Sequence, residues 1–152
     1  LLDMGTHAVH LLRHLFGPVE KVWATCANYA GAYPKVDDYG LIVMRFVSGV
    51  LGRVEAGWVF TGGHGGLEII GSEQSVWDGD GLVVGTRKAE PAPVPEGDAR
   101  PDRIARLIAT INNELPADEL ADDLAACLDA VRIMAAAYQS AESGTWVQVD
   151  RM

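Results

Sequence analysis

The sequence predicts an α+β fold: a mainly antiparallel open sheet with helices packed on one face. Three observations carry this expectation. Apolar residues near the start recur at helical spacing, the middle of the chain alternates at period two between short turns, and the last third returns to helical periodicity before a final alternating stretch. Alternating runs joined by turns too short for a crossover must pair antiparallel.

Met4, Ala8, Leu11, Leu12 and Leu15 form one apolar stripe, Asp3 caps the helix or lies in its first turn, and Gly17-Pro18 supplies the stop. Lys21 to Tyr29 then alternates, with Val22, Ala24 and Cys26 on one side and Trp23 and Thr25 on the other. Tyr39 to Val47 and Val50 to Phe60 are two β-rich runs separated only by Ser48-Gly49, a hairpin spacing. Leu67 to Ile70, Ser75 to Trp77 and Leu82 to Thr86 are shorter strands, and the proline-rich stretch from Lys88 to Pro101 reads as an extended connector. Arg103 to Leu115 is a helix with Ile104, Leu107, Ile108 and Ile111 on one side. Asp122 to Ser143 is a second, with a stripe of Leu124, Cys127, Leu128, Val131, Met134, Ala135 and Tyr138. Gly144 sits where a left-handed cap belongs, and Trp146 to Val149 closes the chain as a strand.

Composition narrows the function. The 152 residues are 49% hydrophobic and 22% charged, typical of a globular domain, and no apolar run approaches a membrane span. A net charge of −9 with scattered basic residues argues against nucleic acid. Cys26 and Cys127 lack a CxxC partner and suggest neither a zinc site nor a disulfide framework, so a cytoplasmic location is expected.

The chemistry concentrates in the first helix. Asp3, His7, His10 and His14 fall within roughly 60° of arc at helical spacing. Such a face reads first as a solvated surface. It also suits proton transfer, because imidazole titrates near neutrality and a neighbouring carboxylate stabilises its charged form. His10 and His14, at i and i+4, have a chelating spacing, but no separate Cys or acidic cluster identifies a further ligand for a metal site built on His7, His10 and His14.

Four stretches in order carry a family resemblance: Leu1-Leu2-Asp3-Met4-Gly5-Thr6-His7 running on to Leu15-Phe16-Gly17; Asp38-Tyr39 with Met44-Arg45-Phe46-Val47-Ser48-Gly49-Val50; Leu67-Glu68-Ile69-Ile70-Gly71-Ser72-Glu73; and Ala137-Tyr138-Gln139-Ser140 through Gly144-Thr145-Trp146-Val147. Together they resemble the C-terminal domain of the glucose–fructose oxidoreductase, inositol dehydrogenase and rhizopine-catabolism (Gfo/Idh/MocA) oxidoreductases. The resemblance implies an NAD- or NADP-dependent dehydrogenase of a sugar, cyclitol or related secondary alcohol, forming a homodimer or tetramer through the sheet. It assigns the general acid/base to His7, and to Asp3 orientation of the substrate or stabilisation of the imidazolium. The family commonly has aspartate where this chain has His10, so His10 marks an altered substrate contact.

The same resemblance implies that residues 1–152 are the substrate-side and oligomerisation domain, without the dinucleotide-binding domain, and inactive alone. The glycine-rich run Gly62-Gly63-His64-Gly65-Gly66 precedes a strand and not a helix, which does not suit a phosphate cradle. It reads as a loop from which His64 could reach substrate; Trp58 and Tyr39 could line a sugar pocket, although aromatics in strands are usually core or interface. Asp37-Asp38 reads as a turn or a polar pair facing a helix, and Arg53 with Glu55 as a solvated ion pair. A non-catalytic ligand-binding or dimerising module is the alternative to the enzyme.

Overall fold

The computed structural model describes residues 1–60, 65–79, 81–97 and 102–150. It divides into two compact units, Leu1–Phe60 with Ile108–Met152 and Thr61–Leu107.

The first unit is built on helix α1 (Leu2–Phe16), strands β1 (Val19–Ala27), β2 (Tyr39–Phe46) and β3 (Leu51–Gly57), the second helix of the C-terminal pair, and a closing strand. The sheet is antiparallel throughout, and α1 and the long helix pack on one face. Val22 and Ala24 of β1, Ile42, Met44 and Phe46 of β2, and Val54 and Ala56 of β3 fill the space beneath them. The alternation seen in the sequence thus becomes one buried and one uncovered sheet face. The β2–β3 hairpin turns through Gly49, whose φ of 89° is open to glycine without strain.

α1 lies on the sheet by an unexpected side. The predicted stripe is largely outside: Met4, Leu11 and Leu15 are about half exposed, while Gly5, Val9 and Leu12 are buried. Gly5 on the buried side permits close approach at the first turn. A Cβ on Gly40 of β2 would stand 2.8 Å from Leu1 Cβ and both its δ carbons, and one on Gly5 would be 3.0 Å from a Leu1 δ carbon. Leu1 is therefore wedged between helix and sheet.

The second unit holds β4 (Glu68–Ile70), β5 (Ser75–Gly79), β6 (Gly81–Thr86) and β7 (Ala89–Pro93), an antiparallel meander in sequence order. β7 corrects the expected connector: Val83 pairs with Pro93 and Val84 with Ala92. Pro91 and Pro93 are tolerated because β7 is an edge strand. The ring of Trp77 lies over Gly85, where an added Cβ would stand 2.8 Å away.

Helix α2 (Arg103–Ile111) spans the division between the units. Asp102 caps it, accepting from the Ile104 and Ala105 amides at 2.7 and 3.0 Å. It ends short of Leu115 because Asn113 turns left-handed (φ 58°), with Glu114 N bonded to Ala109 O and Asn113 N to Thr110 O. Ile104, Leu107, Ile108 and Ile111 remain exposed.

α3 (Ala117–Ser143) starts after Pro116, well before the predicted start at Asp122, with Asp118 and Glu119 complementing its dipole. Its buried side is Ala126, Ala130, Ile133, Met134, Ala136, Ala137 and Ser140, whereas Leu124, Leu128 and Val131 of the expected stripe face outward. An alanine side lets the helix approach β1 closely. Gly144 forms the anticipated left-handed cap (φ 70°). Arg13 of α1 donates through Nε and Nη2 to Asp129 of α3 at 3.0 and 2.8 Å, tying the helices together.

β8 (Val147–Gln148) pairs with β1 only at Lys21 and Val22. Beyond it, buried Ser140 takes the place of a strand: its hydroxyl accepts the Ala24 amide at 2.9 Å and donates to the Thr145 carbonyl at 2.6 Å. Ser140→Ala strands that buried amide and should lower stability by about 1–3 kcal/mol in chemical denaturation. An unchanged midpoint would show that the bond is not needed. Gly40→Ala should likewise cost about 1–3 kcal/mol by overpacking against Leu1, whereas Gly97→Ala, with no atom near the new Cβ, should leave the midpoint in place. Equal effects would contradict the wedge.

Candidate functional site

The side of α1 that seats on the sheet decides what the helix presents. With Val9 buried, a rotation of about 100° per residue directs His7 roughly 160° away from it. Asp3, His7 and His14 are accordingly exposed, and His10 is half-buried. Asp3 and His7 are one turn apart on this outward face, and Met4, Leu11 and Leu15 form an apolar strip beside it. The arrangement places an acid and an imidazole on a rigid element with free access from solvent.

The start of α1 is held from outside the helix. Leu1 occupies the N-cap position but has no side-chain oxygen to satisfy the first amides. The Leu1 main-chain nitrogen donates to Asp37 Oδ2, the Leu2 amide donates to the Tyr138 hydroxyl at 3.2 Å, and that hydroxyl donates to Asp37 Oδ1 at 2.9 Å. Burial alone would push the Asp37 carboxyl up. A hydrogen bond from Tyr138 acts in the opposite direction and draws it down. The phenol of Tyr138 is pushed up to about 12, first by burial and then by the hydrogen bond to Asp37. Burial, followed by repulsion from Asp37, raises the Cys26 thiol.

The neighbouring Asp38 shapes the loop before β2, accepting from the Tyr29 and Ala30 amides at 2.7 Å each. Its carbonyl accepts the Trp58 amide at 2.8 Å. Trp58 thereby stands, largely exposed, at the end of the sheet where α1 begins. Glu55 pairs with the Tyr39 hydroxyl at 2.9 Å in place of the expected partner Arg53, and this hydrogen bond raises the Tyr39 phenol.

His10 turns towards α3, its Nε2 3.8 Å from Cys127 Sγ. His64 lies outside the described residues. Among the described residues no three His, Cys, Asp or Glu side chains come together as a group that could hold a metal ion. Gly65-Gly66 leads into β4 and not into a helix, so these residues do not fit a dinucleotide phosphate. A shallow concavity of about 770 Å³ lies in the second unit between the β4–β5 and β6–β7 turns, lined by Ser72, Glu73, Trp77, Arg87 and Lys88 among others, and includes neither Asp3 nor His7. No helix among the described residues is long and apolar enough to cross a membrane.

Residues 1–77 match the family model described as the GFO/IDH/MocA C-terminal domain. No curated protein matches the chain in sequence. Solved structures do match in fold. The WlbA dehydrogenase from Bordetella pertussis, in complex with NADH and UDP-GlcNAcA, superposes with a TM-score of 0.69 at 20% identity over 97% of this chain and 44% of its own. A Klebsiella pneumoniae protein described as an oxidoreductase gives 0.78 at 21% identity, over 99% of this chain and 49% of its own. Levoglucosan dehydrogenase, in complex with NADH and levoglucosan, gives 0.71 at 21% identity, over 98% and 50%. The chain spans about half the length of these structures.

The Asp37–Tyr138 pair has a signature in pH. A phenol whose folded pKa is raised stabilises the fold fully below its ordinary value of 10 and loses that contribution as pH climbs towards about 12. Thermal midpoints should therefore fall more steeply across that interval in wild type than in Tyr138→Phe. Parallel alkaline profiles for wild type and Tyr138→Phe would refute the network.

Proposed function

We propose that this chain, which belongs to the Gfo/Idh/MocA family through its C-terminal domain, is the substrate-side domain of an NAD(P)-dependent oxidoreductase acting on a sugar, cyclitol or related secondary alcohol. The observation behind this is the pair Asp3 and His7, exposed on one face of a helix whose opposite side is fixed to the sheet. Oxidising a secondary alcohol removes a hydroxyl proton and a hydride. His7 accepts the proton as general base, and in the reverse direction returns it as general acid. Asp3, one turn away, orients the substrate hydroxyls or stabilises the imidazolium.

The hydride goes to NAD or NADP, bound mainly by a dinucleotide-binding domain that these residues do not provide, and the chain by itself does not turn over. Two of the structures that share the fold, WlbA and levoglucosan dehydrogenase, hold NADH together with a sugar-type ligand, which supports the substrate class. The Asp3–His7 face is open here, and the strip of Met4, Leu11 and Leu15 beside it offers apolar surface for the cofactor-carrying half to cover. His10, Trp58 and His64 are assigned to the periphery of the substrate site. The uncovered sheet face, with Trp23, Leu41 and Val43 only partly exposed and Leu51 largely so, is assigned to pairing between copies in a homodimer or tetramer.

The test is made on the natural polypeptide carrying this chain, with NAD⁺ or NADP⁺ and a panel of levoglucosan, L-sorbose and inositols. His7→Ala should lower kcat by about 10²–10⁴-fold with a thermal midpoint close to wild type, since the side chain is exposed. His14→Ala should retain full activity. A wild-type rate in His7→Ala would remove the acid–base assignment.

A further inference from the structure

We infer that Asp37 and Tyr138 are positioning residues: together they form a tertiary cap on the first turn of α1 that holds Asp3 in register with His7. The inference rests on the acid–base reading of that pair, and it adds two residues that touch neither.

A helix leaves its first amides without internal partners, and the ordinary remedy is a Ser, Thr, Asp or Asn at the N-cap. α1 has leucine there and no side-chain cap of its own. The amide of its first residue, Leu2, is satisfied from the C-terminal part of α3 through Tyr138, and the nitrogen of the N-cap residue Leu1 is met by Asp37 from the loop preceding β2. The two side chains are bonded to each other at 2.9 Å, so neither can move without the other. The Leu1 side chain, wedged against Gly5 and Gly40, fixes the same turn from below.

Asp3 is the second residue of this helix. A locally capped helix would keep its first turn ordered and remain free to shift as a body over the sheet. Here the cap itself ties that turn to the loop preceding β2 and to α3, so the carboxylate is placed relative to the sheet end where Trp58 stands. The identity of the groups suits the task. A carboxylate supplies two acceptor oxygens, and a tyrosine hydroxyl can accept one amide while donating to the carboxylate. Phenylalanine at 138 would fill the same space and break both links.

The experiment uses the natural polypeptide with Tyr138→Phe, Asp37→Ala and Asp37→Asn. Hydrogen exchange read by NMR tests the cap without any substrate. The Leu2 amide should exchange at least about tenfold faster in Tyr138→Phe than in wild type, while the Val9 to Leu12 amides keep their rates. Kinetics with NAD⁺ and levoglucosan, or the panel polyol that wild type oxidises fastest, test positioning. kcat should fall by about 10- to 100-fold in Tyr138→Phe and Asp37→Ala, with KM for NAD⁺ unchanged. Asp37→Asn, which keeps one of the two acceptor oxygens, should recover part of the loss. A purely structural cap would give faster exchange with full kcat, and that result overturns the positioning role. Unaltered Leu2 exchange overturns the cap itself. Should wild type oxidise none of the panel, the failure belongs to the proposed function, and the cap stands or falls on exchange alone. If Asp37→Ala does not fold, Tyr138→Phe and Asp37→Asn decide between the same outcomes.

Discussion

The seating of α1 on the sheet is the constraint from which the rest follows. Three side chains and two missing ones set it: Val9 and Leu12 buried against the strands, Leu1 wedged beneath the first turn, and Gly5 and Gly40 leaving the room that wedge requires. A helix has only one rotation that satisfies all of these contacts. Once it is chosen, Asp3 and His7 face away from the core without further instruction. The polar stripe is presented to solvent as a consequence of packing elsewhere on the same helix.

Other features serve that seat. Arg13 bonds to Asp129 of α3, which limits sliding of the two helices. Partly exposed ion pairs of this kind are each worth under about 1 kcal/mol, so their value here lies in geometry. Ser140 extends the β1 ladder where β8 runs out, anchoring α3 to the same sheet. The Asp37–Tyr138 network joins loop, helix and helix at the point where α1 begins. The exposed side chains of α1 are thus carried by a support whose polar groups are satisfied: no buried side-chain nitrogen or oxygen among the described residues lacks a partner.

Much of the fold is legible in the residues. The period-two runs locate β1, β2 and β3, and Gly17 and Gly144 mark the ends of α1 and α3. The departures share a cause. Apolar size is only a partial guide to the buried side of both helices: Leu12 and Met134 of the expected stripes are buried, but glycine and alanines share that side while Leu11, Leu124 and Val131 lie outside. Close packing selects glycine and alanine where a helix must approach a sheet, and hydrophobic periodicity cannot weigh that against leucine. Prolines hide β7, since their tolerance at an edge depends on knowing which strand is the edge. In the site, the Asp3 and His7 pairing is visible because four residues make about one helical turn. Asp37 reads from sequence only as a turn or polar partner of a helix, and Tyr138 as one more stripe residue. Their joint role depends on contacts 36 and 136 positions from α1's first residues, beyond the reach of local pattern.

The central claim is that the imidazole carried on the exposed face of α1 receives the substrate proton. The pH dependence of kcat/KM in the natural polypeptide tests it most directly, comparing wild type with His7→Gln. If His7 is the proton acceptor, the wild-type profile has an ionisation limb on its acid side that is missing from the variant's residual activity. The same limb persisting in His7→Gln would place the proton acceptor elsewhere and contradict the claim.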